Sequence, residues 1–184
     1  MSRIAIIDPG HGGQDPGATG SIFLEKEINL IVARKVKEIL EEWGWLVFMT
    51  RDEDIFVPLR SRADFANSIV AKYKNSKTCF VSCHFNAFHN KNVGGWEIFH
   101  FPGSTQAEKL AKQIAKYFKK QLPFKARGVK AEKNYYVLRH TISPAVIVEP
   151  LFLTNPQEEK WIADRGNQTI LADAIAFGID CWGG

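Results

Sequence analysis

Ile4-Ala5-Ile6-Ile7-Asp8-Pro9-Gly10-His11-Gly12-Gly13 is the stretch on which the fold turns. Its apolar run reads as a buried strand. The glycines that follow let the backbone bend sharply and present an imidazole beyond the strand's end. Three more stretches close an apolar run with a metal- or proton-handling side chain. They are Phe23-Leu24-Glu25-Lys26, Phe80-Val81-Ser82-Cys83-His84-Phe85-Asn86-Ala87 and Val146-Ile147-Val148-Glu149-Pro150.

Working outward, strand-like and helix-like runs alternate along the chain, the mark of an α/β layered domain. After the first strand, residues 26–43 carry a helical stripe of Ile28, Ile31, Val32, Val36, Ile39 and Trp43, stopped by Gly44. Strands are expected at 46–50, 79–85, 95–101, 134–139 and 145–149. Helices are expected at 58–73, with Pro58 in its first turn, at 107–121 and at about 167–180. Thr105 and Glu108 have the spacing of a capping box, and Asn155-Pro156 opens a further helix. No repeat or linker divides residues 1–184, so a single domain is expected.

Bulk properties agree with that reading and exclude other classes. The chain has 184 residues, 45% hydrophobic and 24% charged, enough for one substantial core. Three cysteines, Cys79, Cys83 and Cys181, make no disulfide framework. No run is long enough to cross a bilayer. Met1-Ser2-Arg3 leads at once into the first strand, so no signal peptide is expected and the chain is made in the cytoplasm or cut from a longer precursor. A net charge of +4 does not identify a nucleic-acid partner, because lysines such as Lys109, Lys112 and Lys116 fall on the wet face of a helix.

Two imidazoles and a carboxylate make up the donor set of a catalytic zinc site, which leaves its fourth position open. His11, His84 and Glu149 each end an expected strand, and ligands of open α/β sheets bind beyond the carboxyl ends of strands. Each residue alone has a plainer reading. His11 could be incidental to a glycine turn, and His84 a packed strand-end residue. Glu149, closing a buried run, could pair with Arg127 or Arg139 instead of serving as a base. Glu25 and Glu27 both suit a helix's first turn, and spacing does not choose between them. Cys83 cannot join His84 on one ion, since neighbouring strand side chains point oppositely. Asn86 is a candidate for lining the crevice, and Asp8 for orienting a histidine or bracing the turn. His89, His100 and His140 are assigned no metal, and Trp43, Trp96 and Trp161 are read as core.

Together with Thr50-Arg51, Leu59-Arg60-x-Arg62-Ala63, Arg127-Gly128-Val129-Lys130, Tyr136-Val137-Leu138-Arg139 and Phe152-Leu153-Thr154-Asn155, these motifs span nearly the whole chain. In this order they resemble the zinc-dependent N-acetylmuramoyl-L-alanine amidases of the third amidase type. The resemblance implies a twisted, mostly parallel sheet of about six strands flanked by helices on both faces. It implies one zinc ion per chain on His11, Glu25 and His84, which selects Glu25 over Glu27, and Glu149 as the catalytic base. The substrate implied is peptidoglycan, cut between N-acetylmuramic acid and L-alanine; a monomer is the default expectation, with no nucleic-acid partner and no membrane insertion expected. A phage endolysin domain released through holin-type pores fits best, and a bacterial autolysin domain next. Pro150 departs from the family's usual small or aliphatic residue, and the short stretch from His84 to Gly95 leaves no room for an autoinhibitory helix. A zinc peptidase acting within the stem peptide and a wall-binding module without catalysis are the alternatives.

Overall fold

The computed structural model describes residues 2–184. The element order is β1 (Arg3–Pro9), α1 (Glu25–Glu42), β2 (Leu46–Met49), α2 (Leu59–Lys72), β3 (Lys77–Cys83) and β4 (Trp96–His100). Then come α3 (Thr105–Gln121), β5 (Ala126–Ala131), α4 (Tyr136–His140), β6 (Ala145–Glu149), α5 (Pro156–Ala163) and α6 (Arg165–Gly183). The six strands form one sheet in the order β2-β1-β3-β6-β4-β5. β2, β1, β3 and β6 run parallel, and β4 meets β6 antiparallel while pairing parallel with β5. The sheet is therefore mostly parallel, with one reversal.

Side-chain alternation divides the core in two. Ala5, Ile7, Val81, Ile98, Val146 and Val148 face a large apolar layer built with α1, α3 and α6. Ile4, Ile6, Phe80 and Ile147 face a smaller layer that takes Ala66 and Ile69 from α2 and Val137 and Leu138 from α4. Both faces of the sheet are thus covered, which is why its central strands are apolar without interruption. Asn155 opens α5 as expected, its side chain accepting from the amides of Gln157 and Glu158, with Pro156 in the first turn.

Three expectations are corrected. Residues 134–139 do not make a strand; α4 lies there, with the adjacent pair Val137 and Leu138 both buried, a pattern strand alternation cannot produce. The sixth strand is instead β5, an edge strand whose exposed, charged sequence carries little β signal. Thr105 and Glu108 form no capping box: α3 begins at Thr105 itself, and Glu108 turns to Lys112, 2.6 Å away.

No helix intervenes between β3 and β4, in keeping with the short connection. β1 leads to β2 on one side and β3 lies on its other side, so the chain reverses its direction of travel across the sheet at β1 and β3. The crevice beyond that point is where an open α/β sheet places its ligand, and His11, His84 and Glu149 all stand at this edge.

Candidate metal centre

His11 follows β1, Glu25 is the first residue of α1, and His84 follows β3. His11 Nε2 lies 3.1 Å from Glu25 Oε2, and His84 Nδ1 lies 2.9 Å from Glu25 Oε1. One donor atom from each residue lies within 4.8 Å of the other two. Ligands ~2.0–2.2 Å from a shared zinc ion stand about 3.4 Å apart in tetrahedral geometry, so the set fits a small divalent cation. Two glycines make the approach possible. A Cβ on Gly10 would fall 2.2 Å from the His84 ring, and one on Gly17, whose φ is +66°, would fall 2.6 Å from both Glu25 Oε2 and His11.

The local structure separates Glu25 from Glu27. Glu25 is 4% exposed and accepts from the amides of Ala18 (2.8 Å) and Phe85 (3.1 Å). Glu27 is exposed and reaches back to the Leu24 amide at 3.0 Å, an ordinary capping contact. Burial raises the Glu25 pKa, but hydrogen bonds from His11 and His84, and then their charge, outweigh it and hold the carboxyl far below its usual range. Burial works against a charged His11, yet Glu25 first and Asp15 next raise its pKa on balance. A cation and a proton would compete for the same His11 nitrogen, so binding of a metal there would depend on pH.

Asp15 was not singled out from the sequence. Its Oδ2 lies 2.9 Å from His11 Nδ1, and its Oδ1 accepts from the Gly17 amide at 3.1 Å. It therefore fixes the ring that faces Glu25 through the opposite nitrogen, as carboxylates commonly do for histidine ligands. An acid four residues after a histidine, inside a glycine turn, was the available signal.

Asp8, the sequence candidate for orienting a histidine, touches neither imidazole. Its oxygens accept from Thr50 Oγ1, from Arg62 Nη1 at 2.7 Å and from Ser82 Oγ at 2.6 Å, so it braces the turn from beneath. Asn86 donates to Glu97 and accepts from the Ala87 amide, and it bonds neither imidazole. Cys79 and Cys83 are buried free thiols within the larger apolar layer.

Glu149 ends β6 with 9% exposure, and its Oε2 has no hydrogen-bond partner. Arg127 pairs with Glu97 instead, at 3.3 Å. Burial first, then the charges of Glu25 and Glu97, push the Glu149 pKa well above the usual carboxylate value. A cavity of about 380 Å³ joins Glu149 to His11 and His84, with Phe56, Leu59 and Tyr135 on its apolar wall. The Tyr135 phenol is pushed up to about 12 by burial and then by the Glu149 charge, so it stays a donor.

A buried, unpartnered carboxylate beside a two-histidine, one-carboxylate cluster is the arrangement of a metal-assisted hydrolase. Comparison with known proteins agrees. The family described as N-acetylmuramoyl-L-alanine amidase matches residues 5–181. A germination-specific N-acetylmuramoyl-L-alanine amidase of Bacillus subtilis is 31% identical over 185 residues, covering 96% of this chain and 78% of the relative. The N-acetylmuramoyl-L-alanine amidase LytC of the same organism is 34% identical, covering 97% of this chain but only 34% of its own length. Among solved structures, the amidase AmiC2 of Nostoc punctiforme superposes with a TM-score of 0.88 at 33% identity, covering 98% of this chain and 96% of that one. With sheet, crevice and sequence in accord, the chain belongs to the N-acetylmuramoyl-L-alanine amidase family.

Proposed function

We propose that this chain hydrolyses the amide between the lactyl group of N-acetylmuramic acid and L-alanine in peptidoglycan, using one zinc ion held by His11, Glu25 and His84. The observation that carries the reading is the unpartnered, buried Glu149 carboxylate on the wall of the cavity that His11 and His84 also line. The donor set of two imidazoles and one carboxylate leaves a coordination position open, the form catalytic zinc takes. When bound, the ion supplies Lewis-acid polarisation of the scissile carbonyl and makes water easier to deprotonate.

The chain's own residues do the rest. Glu149 Oε2 accepts a proton from the attacking water and delivers it to the alanine nitrogen as the C–N bond breaks, ending ready for another cycle. Burial keeps this carboxylate basic enough to take the proton. Asp15 holds the His11 ring through Nδ1 at 2.9 Å. Phe56, Leu59 and Tyr135 exclude water from one side and offer apolar surface to the substrate.

Family membership favours peptidoglycan over other amides, and action on the cell wall follows from that substrate. No helix among the described residues is long and apolar enough to cross a membrane. Digestion of a defined muropeptide followed by mass spectrometry tests the assignment. The expected products are the intact stem peptide with a free N-terminal L-alanine and the unsubstituted glycan. Cleavage inside the stem would transfer the chain to the peptidase reading. Intact substrate with zinc-loaded protein would leave a binding module.

A further inference from the structure

We propose that Arg51 and Arg62 are positioning residues for the metal centre, a guanidinium clamp that holds the His11 turn in the backbone conformation that aims its imidazole at Glu25. The proposal rests on His11 being a ligand. His11 has a φ of +60° and is the one non-glycine residue with positive φ among the described residues. L-residues with a Cβ disfavour that left-handed region, and they stay there only when their surroundings over-determine it.

The surroundings here are two arginines, each only 2% exposed. Arg51 donates from Nε to the Pro9 carbonyl at 3.0 Å and from Nη2 to the Gly10 carbonyl at 2.8 Å. Arg62 donates from Nη1 to the Pro9 carbonyl at 2.6 Å and from Nη2 to the His11 carbonyl at 2.7 Å. Three consecutive carbonyls, those of Pro9, Gly10 and His11, are thereby gripped from two directions. Arg51 also donates to the carbonyls of Lys26 (2.9 Å) and Glu53 (3.1 Å), tying the His11 turn to the start of α1, where Glu25 stands. Arg62 is anchored by Asp8, which Thr50 and Ser82 hold in turn.

The charge arrangement argues against a merely structural role. Arg51 is a buried cation whose hydrogen bonds all go to carbonyl oxygens and none to a carboxylate. Burying a guanidinium without a carboxylate partner is expensive, and placing a second guanidinium on the same turn compounds it. Local rules broken without local compensation are expected where function requires the geometry. The planar fork also explains the residue type, because a lysine ammonium cannot bond two successive carbonyls with fixed geometry.

The test is zinc affinity of Arg51→Lys and Arg62→Lys, measured by competition with a chromophoric chelator, alongside urea unfolding of the metal-free proteins. Each variant is expected to bind zinc about 10–100-fold more weakly, the range seen when the support of a metal ligand is lost. The same loss is expected in a His84→Ala background and is expected to vanish in a His11→Ala background, where the clamp has no ligand left to aim. Unchanged zinc affinity in a folded Arg51→Lys protein overturns the proposal, as does an equal loss with and without His11. If Arg62→Lys fails to fold because an ammonium cannot remake the bonds of the guanidinium to Asp8, Pro9 and His11 together, Arg51→Lys decides the matter alone. Wild-type protein that binds no zinc at all would overturn the metal reading itself, an outcome distinct from either clamp result.

Discussion

Glu97 and Glu149 stand directly opposite each other across the antiparallel junction of β4 and β6, and only Glu97 has charged partners. Glu97 receives Arg127 at 3.3 Å, Lys130 and the Asn86 amide. Glu149 Oε2 receives nothing. Opposed residues on one sheet face have Cβ atoms about 5 Å apart, close enough for Glu97 to favour the protonated form of its neighbour. Glu97→Gln removes that repulsion and frees two cations nearby, both of which lower the Glu149 pKa. The acid limb of the pH profile of kcat/KM should move to lower pH, with a lower plateau from a weaker base. A limb that stays in place would mean that Glu149 is not the titrating base.

Substitution of Glu149 itself separates chemistry from metal binding. Glu149→Gln preserves the side chain's shape and leaves His11, Glu25 and His84 untouched, so zinc content should match the wild type. Turnover should fall by ~10²–10⁴-fold, the usual contribution of a positioned general base. Elemental analysis and product release on the same preparation check both halves.

Glu149 also makes the stability of the metal-free protein depend on pH. Its folded pKa lies well above the ordinary 4.5, so the native state binds the proton more tightly than the unfolded chain does. Native protein then holds more protons than unfolded protein above about pH 4.5, and stability falls as pH rises from there towards the folded pKa. His11, with its raised pKa, adds a decline of the same sign above about 6.5. Urea unfolding across this range should show Glu149→Gln with a flatter profile than wild type, the difference isolating Glu149. Zinc should flatten the wild-type profile too, because a cation at Glu25 offsets one of the negative charges acting on Glu149.

Gly10→Ala tests the close approach of the turn's backbone to His84. The new Cβ would sit 2.2–2.3 Å from His84 Cε1 and Nε2, so the ring must move off the turn. Zinc affinity should drop by at least ~10-fold while the far end of the sheet, away from the crevice, is unaffected. Chelator competition and backbone amide spectra report the two effects separately.

Phe80→Ala provides a contrast remote from the chemistry. Phe80 is fully buried on β3 in the smaller apolar layer with Ile4, Ile6 and Ile147. Its truncation should cost ~3–5 kcal/mol of folding stability, read by urea unfolding, with zinc affinity unchanged in the folded fraction.

Much of this architecture is legible along the chain because its signals are local. The strand at Ile4–Ile7, the stripe from Ile28 to Ile39 and the Asn155-Pro156 cap each depend on residues within a turn or two of one another. α4 and β5 were missed because neither has such a signal. Five residues from Tyr136 to His140 are too few for a helical period to separate from a strand's alternation. β5 carries Arg127, Gly128 and Lys130, and only its pairing with β4 makes it a strand.

The sequence by itself determined that this is a layered α/β chain with His11, His84 and Glu149 at strand ends, because period and burial pattern are properties of neighbours. It also supplied the donor types, which restrict the chemistry before any coordinates exist. Tertiary structure alone decided that Asp8 supports an arginine and not a histidine, and that Glu149 lacks a counter-ion. The setting of Asp8 depends on hydrogen bonds to groups 54 and 74 positions away, Arg62 and Ser82. No periodicity encodes such contacts; they exist only once the sheet brings its carboxyl ends to one edge.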